Sequence, residues 1–190
     1  PGGKHIEPIE ALCANGGHWM HFEDEGFEEM NQAEYGQFGT FMTNKLLSNM
    51  EHTWSIRQDG NWECRVKNQM TALGAALTGK SYLEEVVDIN EPDPPLKRQA
   101  LGKRTLTARQ RHLIEGGRLV TEMYGKAMSH QDGNDEPFHS RMHRFVVDDQ
   151  YWQVIEIVTD GKYCVRRFKR YPFFRIMNET GKTLTVKTYA

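Results

Sequence analysis

Two arginines stand on strand-like stretches whose neighbours are apolar. In "YCVRRFKRY" (163–171), alternate residues of a strand face opposite sides, so Cys164, Arg166 and Phe168 share one side. The same alternation over 138–147 puts Arg144 on an apolar side. A buried guanidinium is costly unless an anion or a hydrogen-bonded acceptor meets it. The pattern predicts either an internal anion site or arginines paired with internal Asp, Glu or water, and the residues alone leave both open.

Two histidine pairs have spacings that could begin a metal site, His18 with His21 and His139 with His143. On a strand, however, His139 and His143 face the solvent side with Arg141 between them. A neighbouring cation disfavours a metal ion. We therefore predict no metal site and no cofactor.

The cysteines do not indicate a reactive centre. Cys13, Cys64 and Cys164 are an odd number without CxxC spacing, which favours free buried thiols over a zinc site or a disulfide framework. A nucleophilic pair of Cys164 with a histidine has no identifiable oxyanion loop or orienting acid beside it. An enzymatic interior would have to use Glu156 or His112 as its titratable group. We predict that the protein is not an enzyme.

Short amphipathic helices precede most of the strands that carry these residues. Asp24-Glu25 gives a capping-type start, and Gly36 separates the first helix from the second. Apolar residues recur at helical spacing in both stretches, first Phe27, Met30 and Ala33, then Phe38, Phe41, Met42 and Leu46.

The period of the apolar residues is close to two in the rest of the chain. A strand at 18–22 precedes the helices, and a hairpin at 54–66 turns at Asp59-Gly60. Further strands are predicted at 81–87, 103–107, 110–114, 118–124, 138–147, 151–158 and 163–171, whereas 71–79 is ambiguous. Many short strands joined by hairpin turns predict one antiparallel sheet, paired mostly between neighbours and closed into a barrel or clam.

Composition excludes several classes of protein. A chain of 190 residues suits one domain with a real core. The net charge of -2, from 24 Lys and Arg against 26 Asp and Glu, argues against a charge-driven nucleic-acid binder. No stretch approaches the roughly 18 apolar residues of a membrane span. The opening "PGGKHIEPIE" shows no signal peptide, so we expect a cytoplasmic location, with secretion of a trimmed chain as the alternative.

Four motifs, in order, are similar to those of one known family. "GHWMHFEDEGFEEMNQAEYG" has Gly17, Trp19, Glu25, Phe27 and Gly36 where that family has "GxWxxxxxExFxxYMxxxG". "GKSYLEEV", "EGGRLVTEMYGK" and "QVIEIVTDGKYCVRRFKR" follow in the family's order and spacing. The chain thus resembles the intracellular lipid-binding proteins, which are the fatty-acid-binding and retinoid-binding proteins. The likeness spans about residues 17–170, with insertions near 88–103 and 126–137.

The resemblance implies a fold and a ligand. The fold is an all-β, ten-stranded antiparallel β-clam (calycin-like) with a helix-turn-helix lid over about 24–50, around a water-filled cavity. In that family two arginines and a tyrosine bind the carboxylate of a fatty acid. The matching positions are Arg144, Arg166 and Phe168, and the phenylalanine departs from the pattern by removing one hydroxyl donor.

The resemblance also suggests which apolar residues meet the ligand. Flexible, polarizable methionines suit variable apolar chains. Plain packing of the lid on the barrel is the alternative for the portal residues. The portal set is Phe27, Met30, Phe38, Phe41, Leu46 and Leu47, and the acyl-chain set is Trp54, Ile56, Met70, Met123, Met142, Ile155 and Ile157.

We therefore expect a monomeric carrier that binds a fatty acid or similar hydrophobic carboxylate without a covalent bond, with a transient membrane contact through the lid. The alternatives are a barrel-fold enzyme acting on an apolar substrate, and a protective or structural barrel without a specific ligand. The barrel would span 17–170, between an N-terminal extension (1–16) and a C-terminal extension (171–190). The second extension reads as a hairpin around "NETGK" that adds an edge strand, swaps or contacts a partner, and Asn178 fits a glycosylation sequon if the protein is secreted.

Overall fold

The computed structural model describes residues 5–32, 50–68, 82–89, 91 and 94–171, and the backbone of two later strands. Ten strands form one antiparallel sheet in the order β4-β3-β2-β1-β10-β9-β8-β7-β6-β5. Their bounds are β1 His18–Glu25, β2 Glu51–Ile56, β3 Trp62–Lys67, β4 Leu83–Val87, β5 Leu96–Leu101, β6 Arg104–Glu115, β7 Arg118–Ser129, β8 Asp135–Val147, β9 Gln150–Ile157 and β10 Lys162–Arg170. The predicted ten-stranded all-β fold class is confirmed.

The sheet curls so that distant strands share one interior. Every pairing joins strands consecutive in the chain except β1 with β10, which brings the two ends of the sheet-forming chain together. Arg144 of β8 nonetheless reaches Glu85 of β4 and Trp54 of β2, although neither strand pairs with β8. Only a strongly curved sheet allows these contacts, as the clam requires.

Several predicted strand bounds were wrong, each for a local reason. The predicted strands at 103–107 and 110–114 are one strand, β6, because the inward alternation runs on through the buried Ala108. The highly polar β5 ("LKRQAL") lies within the segment that was interpreted as an insertion. Asp24-Glu25 belongs to β1 rather than to a helix start, because Glu23 and Glu25 both accept hydrogen bonds from Arg167 of β10.

In the described part of the chain, one α-helical segment covers residues 27–32, directly after Gly26, and we call it the short helix. Gly26 has a φ of +70°, and a Cβ there would lie 2.9 Å from the carbonyl oxygen of Tyr163, so the turn into the helix requires glycine. The amide of Met30 donates to the carbonyl of Gly26 at 3.1 Å. The second predicted helix (38–46) and the ambiguous stretch 71–79 lie outside the described residues.

The segment ahead of β1 is packed against the sheet. It forms two 3₁₀ turns, Ile9–Leu12 and Ala14–Gly16, and Ile6 makes an isolated bridge to Val147. The Leu12 side chain is fully buried, and its carbonyl accepts a 2.8 Å hydrogen bond from Trp19 Nε1. This segment therefore contributes side chains to the core as well as backbone acceptors.

The C-terminal residues form a hairpin of their own. Strands β11 (Phe173–Met177) and β12 (Thr183–Lys187) pair with each other antiparallel, in a separate two-stranded sheet. The two strands lie on either side of the predicted turn "NETGK", and among the described strands they pair only with each other.

The described residues form two clusters of buried side chains in the interior. The smaller cluster lies on β6 to β9 and consists of Leu106, Ala127, Phe138 and Ile157, with Met30 of the short helix and Met123 packed against it. The larger cluster is rich in aromatic rings and consists of Ile9, Leu12, Trp19, Met50, Trp54, Trp62, Cys64, Val87, Leu119, Val146, Tyr151 and Phe168.

Candidate functional site

Arg144 lies inside the curled sheet and is only 2% exposed. Its Nη1 donates to Thr121 Oγ1 at 2.5 Å, and its Nη2 donates to both carboxylate oxygens of Glu85, at 2.8 and 3.0 Å. The guanidinium carbon lies 5.5 Å from the ring centroid of Trp54, within range of a cation–π contact. Burial alone would lower the pKa of Arg144, but the Glu85 carboxylate outweighs burial and raises that pKa, so the guanidinium stays charged.

Arg166 is 3% exposed and stands beside the short helix. Its Nε donates to Asp24 Oδ1 at 2.9 Å, and its Nη1 points to Met50 Sδ at 3.6 Å, a weak acceptor. The ring of Phe27, the first helical residue, lies 4.2 Å from the guanidinium carbon. The arginine is therefore held by the residues on either side of Gly26.

Both arginines thus have an internal carboxylate partner, which is one of the two alternatives that the sequence left open. The side chains of these partners are partly accessible, Glu85 at 33% and Asp24 at 28%. Burial acts to raise the pKa of Asp24, but hydrogen bonds from His21 and Arg166 outweigh it and hold the pKa below its ordinary value. Each acid has a route to solvent that its arginine lacks.

Five aromatic side chains pack beside the arginines. The Phe168 ring is fully buried and stacks on Tyr151 at 4.7 Å and on His52 at 4.6 Å, between ring centroids. Trp54 meets Tyr151 edge-on at 6.3 Å. Among the described residues, rings therefore occupy this part of the interior, where the resemblance implied a water-filled space. The cluster consists of Trp19, His52, Trp54, Tyr151 and Phe168.

Among the described residues, three polar atoms of this cluster have no hydrogen-bond partner. They are the hydroxyl of Tyr151, Nδ1 of His52 and Nε1 of Trp54, and all three side chains are buried. Burial raises the pKa of Tyr151, so its hydroxyl stays protonated. Burial, followed by the charges of Arg144 and Arg166, lowers the pKa of His52 well below its ordinary value, so the imidazole stays neutral. A protonated hydroxyl and a neutral imidazole next to two guanidinium groups can bind an anion or a polar head group.

Tyr151 and His52 were not predicted from the sequence as site residues. The register of the sheet pairs Tyr151 directly with Phe168, so the hydroxyl that position 168 lacks stands on the neighbouring strand. Alternation along β9 would have placed Tyr151 on the same side as Gln153 and Ile155. The pairing register that brings its hydroxyl to the arginines could not be read from the sequence.

The predicted portal and acyl-chain residues that the structure describes fall in different places. Phe27 is buried against Arg166, and Met30 packs on the smaller cluster with Met123 and Ile157. Trp54 belongs to the aromatic cluster, whereas Ile56 ends β2 at 48% exposure. The remaining inward positions, Met142 and Ile155, are half-buried, and Met142 Sδ accepts from Gln153 at 3.1 Å. Predictions for Phe38, Phe41, Leu46, Leu47 and Met70 lie outside the described residues.

The other candidate residues have ordinary partners. His139 Nε2 lies 2.8 Å from Glu122, and His21 Nε2 lies 2.8 Å from Asp24. His18 Nδ1 lies 2.9 Å from Thr53 Oγ1. Among the residues that the structure describes, no group of three His, Cys, Asp or Glu side chains could hold a metal ion.

The two candidate groups for an enzymatic interior differ in position. The interpretation of Glu156 as an interior group is wrong, since it is 45% exposed on the outer face, 4.0 Å from His143. His112 does face inward, where its Nδ1 lies 2.9 Å from Thr121 Oγ1. Burial raises the pKa of the Cys13 thiol to about 11 and that of Cys164 to about 12, which disfavours a thiolate nucleophile.

Solved structures share this architecture at low sequence identity. The fatty-acid-binding protein 1 of Echinococcus granulosus superposes with a TM-score of 0.52 at 15% identity, covering 80% of this chain and 94% of its own. Human cRBP IV superposes with a TM-score of 0.53 at 12% identity, covering 82% of this chain and 97% of its own. The fluorescent protein UnaG superposes with a TM-score of 0.53 at 12% identity, covering 84% of this chain and 98% of its own. Likeness at this identity establishes the fold.

Neither a protein-family model nor a curated protein sequence matches the chain. In the described part of the chain, no helix has the length and apolar character that crossing a membrane requires.

Proposed function

We propose that this protein binds a fatty acid or a similar hydrophobic carboxylate inside the curled sheet and carries it without chemical change. The observation that carries the proposal is the interior group of two buried guanidinium ions beside a tyrosine hydroxyl and an imidazole nitrogen that have no partner among the described residues. Buried polar atoms are rarely left unpaired unless a ligand or ordered water meets them. The fold is that of solved fatty-acid-binding proteins, which supports the same class of ligand.

The ligand carboxylate would take the place of one internal acid. Glu85 and Asp24 are partly exposed, so either can turn towards solvent and free its arginine. A bound carboxylate would then accept charge-assisted hydrogen bonds from Arg144 or Arg166 and one from the hydroxyl of Tyr151. In this arrangement Tyr151 supplies the donor that Phe168 does not.

The short helix would couple the head group to the entrance. Asp24 and Phe27 flank the turn at Gly26, and both contact Arg166. Movement of Arg166 towards a ligand would therefore disturb the attachment of this helix to the barrel. We propose that the helix is part of the portal and that Met30 lines its inner side.

A barrel without a specific ligand is the second candidate function. The observation that favours it is the larger interior cluster, where aromatic rings fill the space and both arginines already have acidic partners. In that case the internal salt bridges and the ring stack would serve stability alone.

Native mass spectrometry of protein from its natural source distinguishes the candidates. A co-purifying mass that matches a fatty acid or a related hydrophobic acid supports the carrier. Repeatedly empty protein that also ignores palmitic acid in titration supports the barrel without a ligand. A mixture of an apolar substrate and its product supports the enzyme.

A further inference from the structure

Polar side chains on the inner face continue from Arg144 to a second position on the sheet. Arg144 donates to Thr121 Oγ1 at 2.5 Å, and that hydroxyl lies 2.9 Å from His112 Nδ1. His112 Nε2 lies 3.4 Å from the amide nitrogen of Gln110. These contacts form a continuous polar track across β8, β7 and β6.

The track ends at a pocket on the inner side of β5, β6 and β7. The register places Lys97 opposite Ala108 and Gln110 opposite Met123, so these side chains share one face of the sheet. The pocket is lined by Lys97, Gln99, Ala108, Gln110 and Met123. We call this pocket the Gln110 pocket.

The polar groups of the Gln110 pocket have weak partners. Gln99 Nε2 donates to Met123 Sδ at 3.6 Å, and a thioether sulfur is a poor acceptor. The contact of Gln110 with His112 is long for a hydrogen bond. Within the described part of the chain, no salt bridge joins Lys97 to an acidic side chain. Two amides and an ammonium group are thus available to a polar ligand group.

We infer that the ligand carries a second polar group at the far end of its apolar body, which the Gln110 pocket binds; this inference rests on the proposed function. Arg144 lies opposite Leu119, and Gln110 lies opposite Met123, so the two positions are four residues apart along β7 and two strands apart. That offset corresponds to about 16 Å along the sheet. The class of ligand is therefore a long-chain ω-hydroxy acid or α,ω-dicarboxylic acid rather than a simple fatty acid.

The test compares three acids of one chain length by calorimetric titration into the intact protein. They are palmitic acid, ω-hydroxypalmitic acid and hexadecanedioic acid. We expect both bifunctional acids to bind about 3- to 10-fold more tightly than palmitic acid, the gain from a net hydrogen bond.

Variants of Gln110 assign that gain to the pocket. Gln110→Leu should abolish the advantage of both bifunctional acids and leave palmitic acid bound as before. Gln110→Glu should weaken the dicarboxylic acid, through charge repulsion, far more than the hydroxy acid. Gln150→Leu is the matched control on β9, and thermal melts establish that each variant is folded.

Three outcomes would overturn the inference. If palmitic acid binds and the bifunctional acids bind no more tightly, the amides of the pocket form hydrogen bonds to water instead of to the ligand, and the proposed function stands. If the advantage persists in Gln110→Leu, the second polar group lies elsewhere. If the wild-type protein binds none of the three acids, the proposed function fails and this inference fails with it.

Discussion

At the scale of single residues, the interior arginines are neutralised by acids distant in the chain. Glu85 and Arg144 are 59 residues apart, and Asp24 and Arg166 are 142 apart. Alternation along two strands predicted that both arginines face inward. The same alternation could not reveal their partners, because β4 and β8 are not neighbours in the sheet.

Replacing Glu85 should free Arg144 for a ligand. In Glu85→Gln the guanidinium loses its internal carboxylate, so palmitic acid should bind more tightly, by roughly 1 kcal/mol. The melting temperature should fall, because a buried charge has lost its partner. Calorimetric titration and a thermal melt measure the two effects.

The neighbouring residue supplies the control for that substitution. Glu84 lies on the same strand and meets the exposed Arg65, so Glu84→Gln should leave binding unchanged. Unchanged or weaker binding of palmitic acid to Glu85→Gln would mean that the carboxylate does not compete with Glu85.

The hydroxyl of Tyr151 should contribute to the affinity for the ligand but not to the stability of the fold. Among the described residues it has no hydrogen-bond partner, so Tyr151→Phe should keep the ring stack and leave the melting temperature unchanged or slightly higher. Affinity for palmitic acid should fall by about 0.5–1.5 kcal/mol. The exposed Tyr163 provides the matched control Tyr163→Phe. Equal affinity of Tyr151→Phe and the wild type would remove this hydroxyl from the site.

His52 should make stability depend on pH. Its pKa in the folded protein is far below the value of about 6.5 in an unfolded chain, so the unfolded state binds the proton more readily. The contribution of His52 to the stability of the fold is fully present above a pH of about 6.5 and is lost progressively as the pH falls below that value. The pKa values of His112 and His143 are also lowered, so they contribute in the same direction.

Thermal melts at pH 7.5 and pH 5.5 lie on either side of the pKa of about 6.5 that histidine has in an unfolded chain. Between these two pH values, the melting temperature should therefore drop less for His52→Phe than for the wild type. Phenylalanine keeps the stack on Phe168, so the fold should persist. His130→Gln changes an exposed histidine and should retain the drop of the wild type. Identical drops for His52→Phe and the wild type would mean that His52 is not buried as a neutral group.

At the scale of elements, the period of apolar residues predicted most of the sheet. It identified the β2–β3 hairpin and the strands from β7 to β10, where one face is buried. It missed β5, whose polar side chains Lys97, Arg98 and Gln99 carry no apolar alternation. It also assigned Asp24 and Glu25 to a helix, because the arginines of β10 that donate to them, Arg166 and Arg167, are remote in sequence.

The short helix should control ligand exchange more than stability. Phe27 covers Arg166 at the start of this helix, while the barrel strands pair with one another. Phe27→Ala should therefore accelerate release of a fluorescent fatty acid in stopped-flow experiments, with a small change in melting temperature. Glu28→Ala replaces the exposed neighbour and should release at the rate of the wild type. A release rate unaltered by Phe27→Ala would exclude this helix from the portal.

At the scale of the whole molecule, the order and spacing of weak motifs predicted the fold class. The same reasoning treated residues 1–16 as an extension, because that stretch contains Gly and Pro and its apolar residues show no period, although Ile9 and Leu12 belong to the larger cluster. The aromatic filling beside the arginines could not be predicted, since it depends on how far the sheet curls. Global curvature is set by contacts between strands that are not adjacent, such as Arg144 with Trp54.

The central claim is that Arg144 and Arg166 recognise a carboxylate inside the barrel. Its most direct test is calorimetric titration of palmitic acid and of hexadecanol into the wild type, Arg144→Gln and Arg166→Gln, with the outer-face variant Arg167→Gln as control. We expect each inner variant to bind the acid more weakly by roughly 1–3 kcal/mol and the alcohol almost unchanged. Equal losses for acid and alcohol, or a wild-type protein that binds neither, would contradict the account.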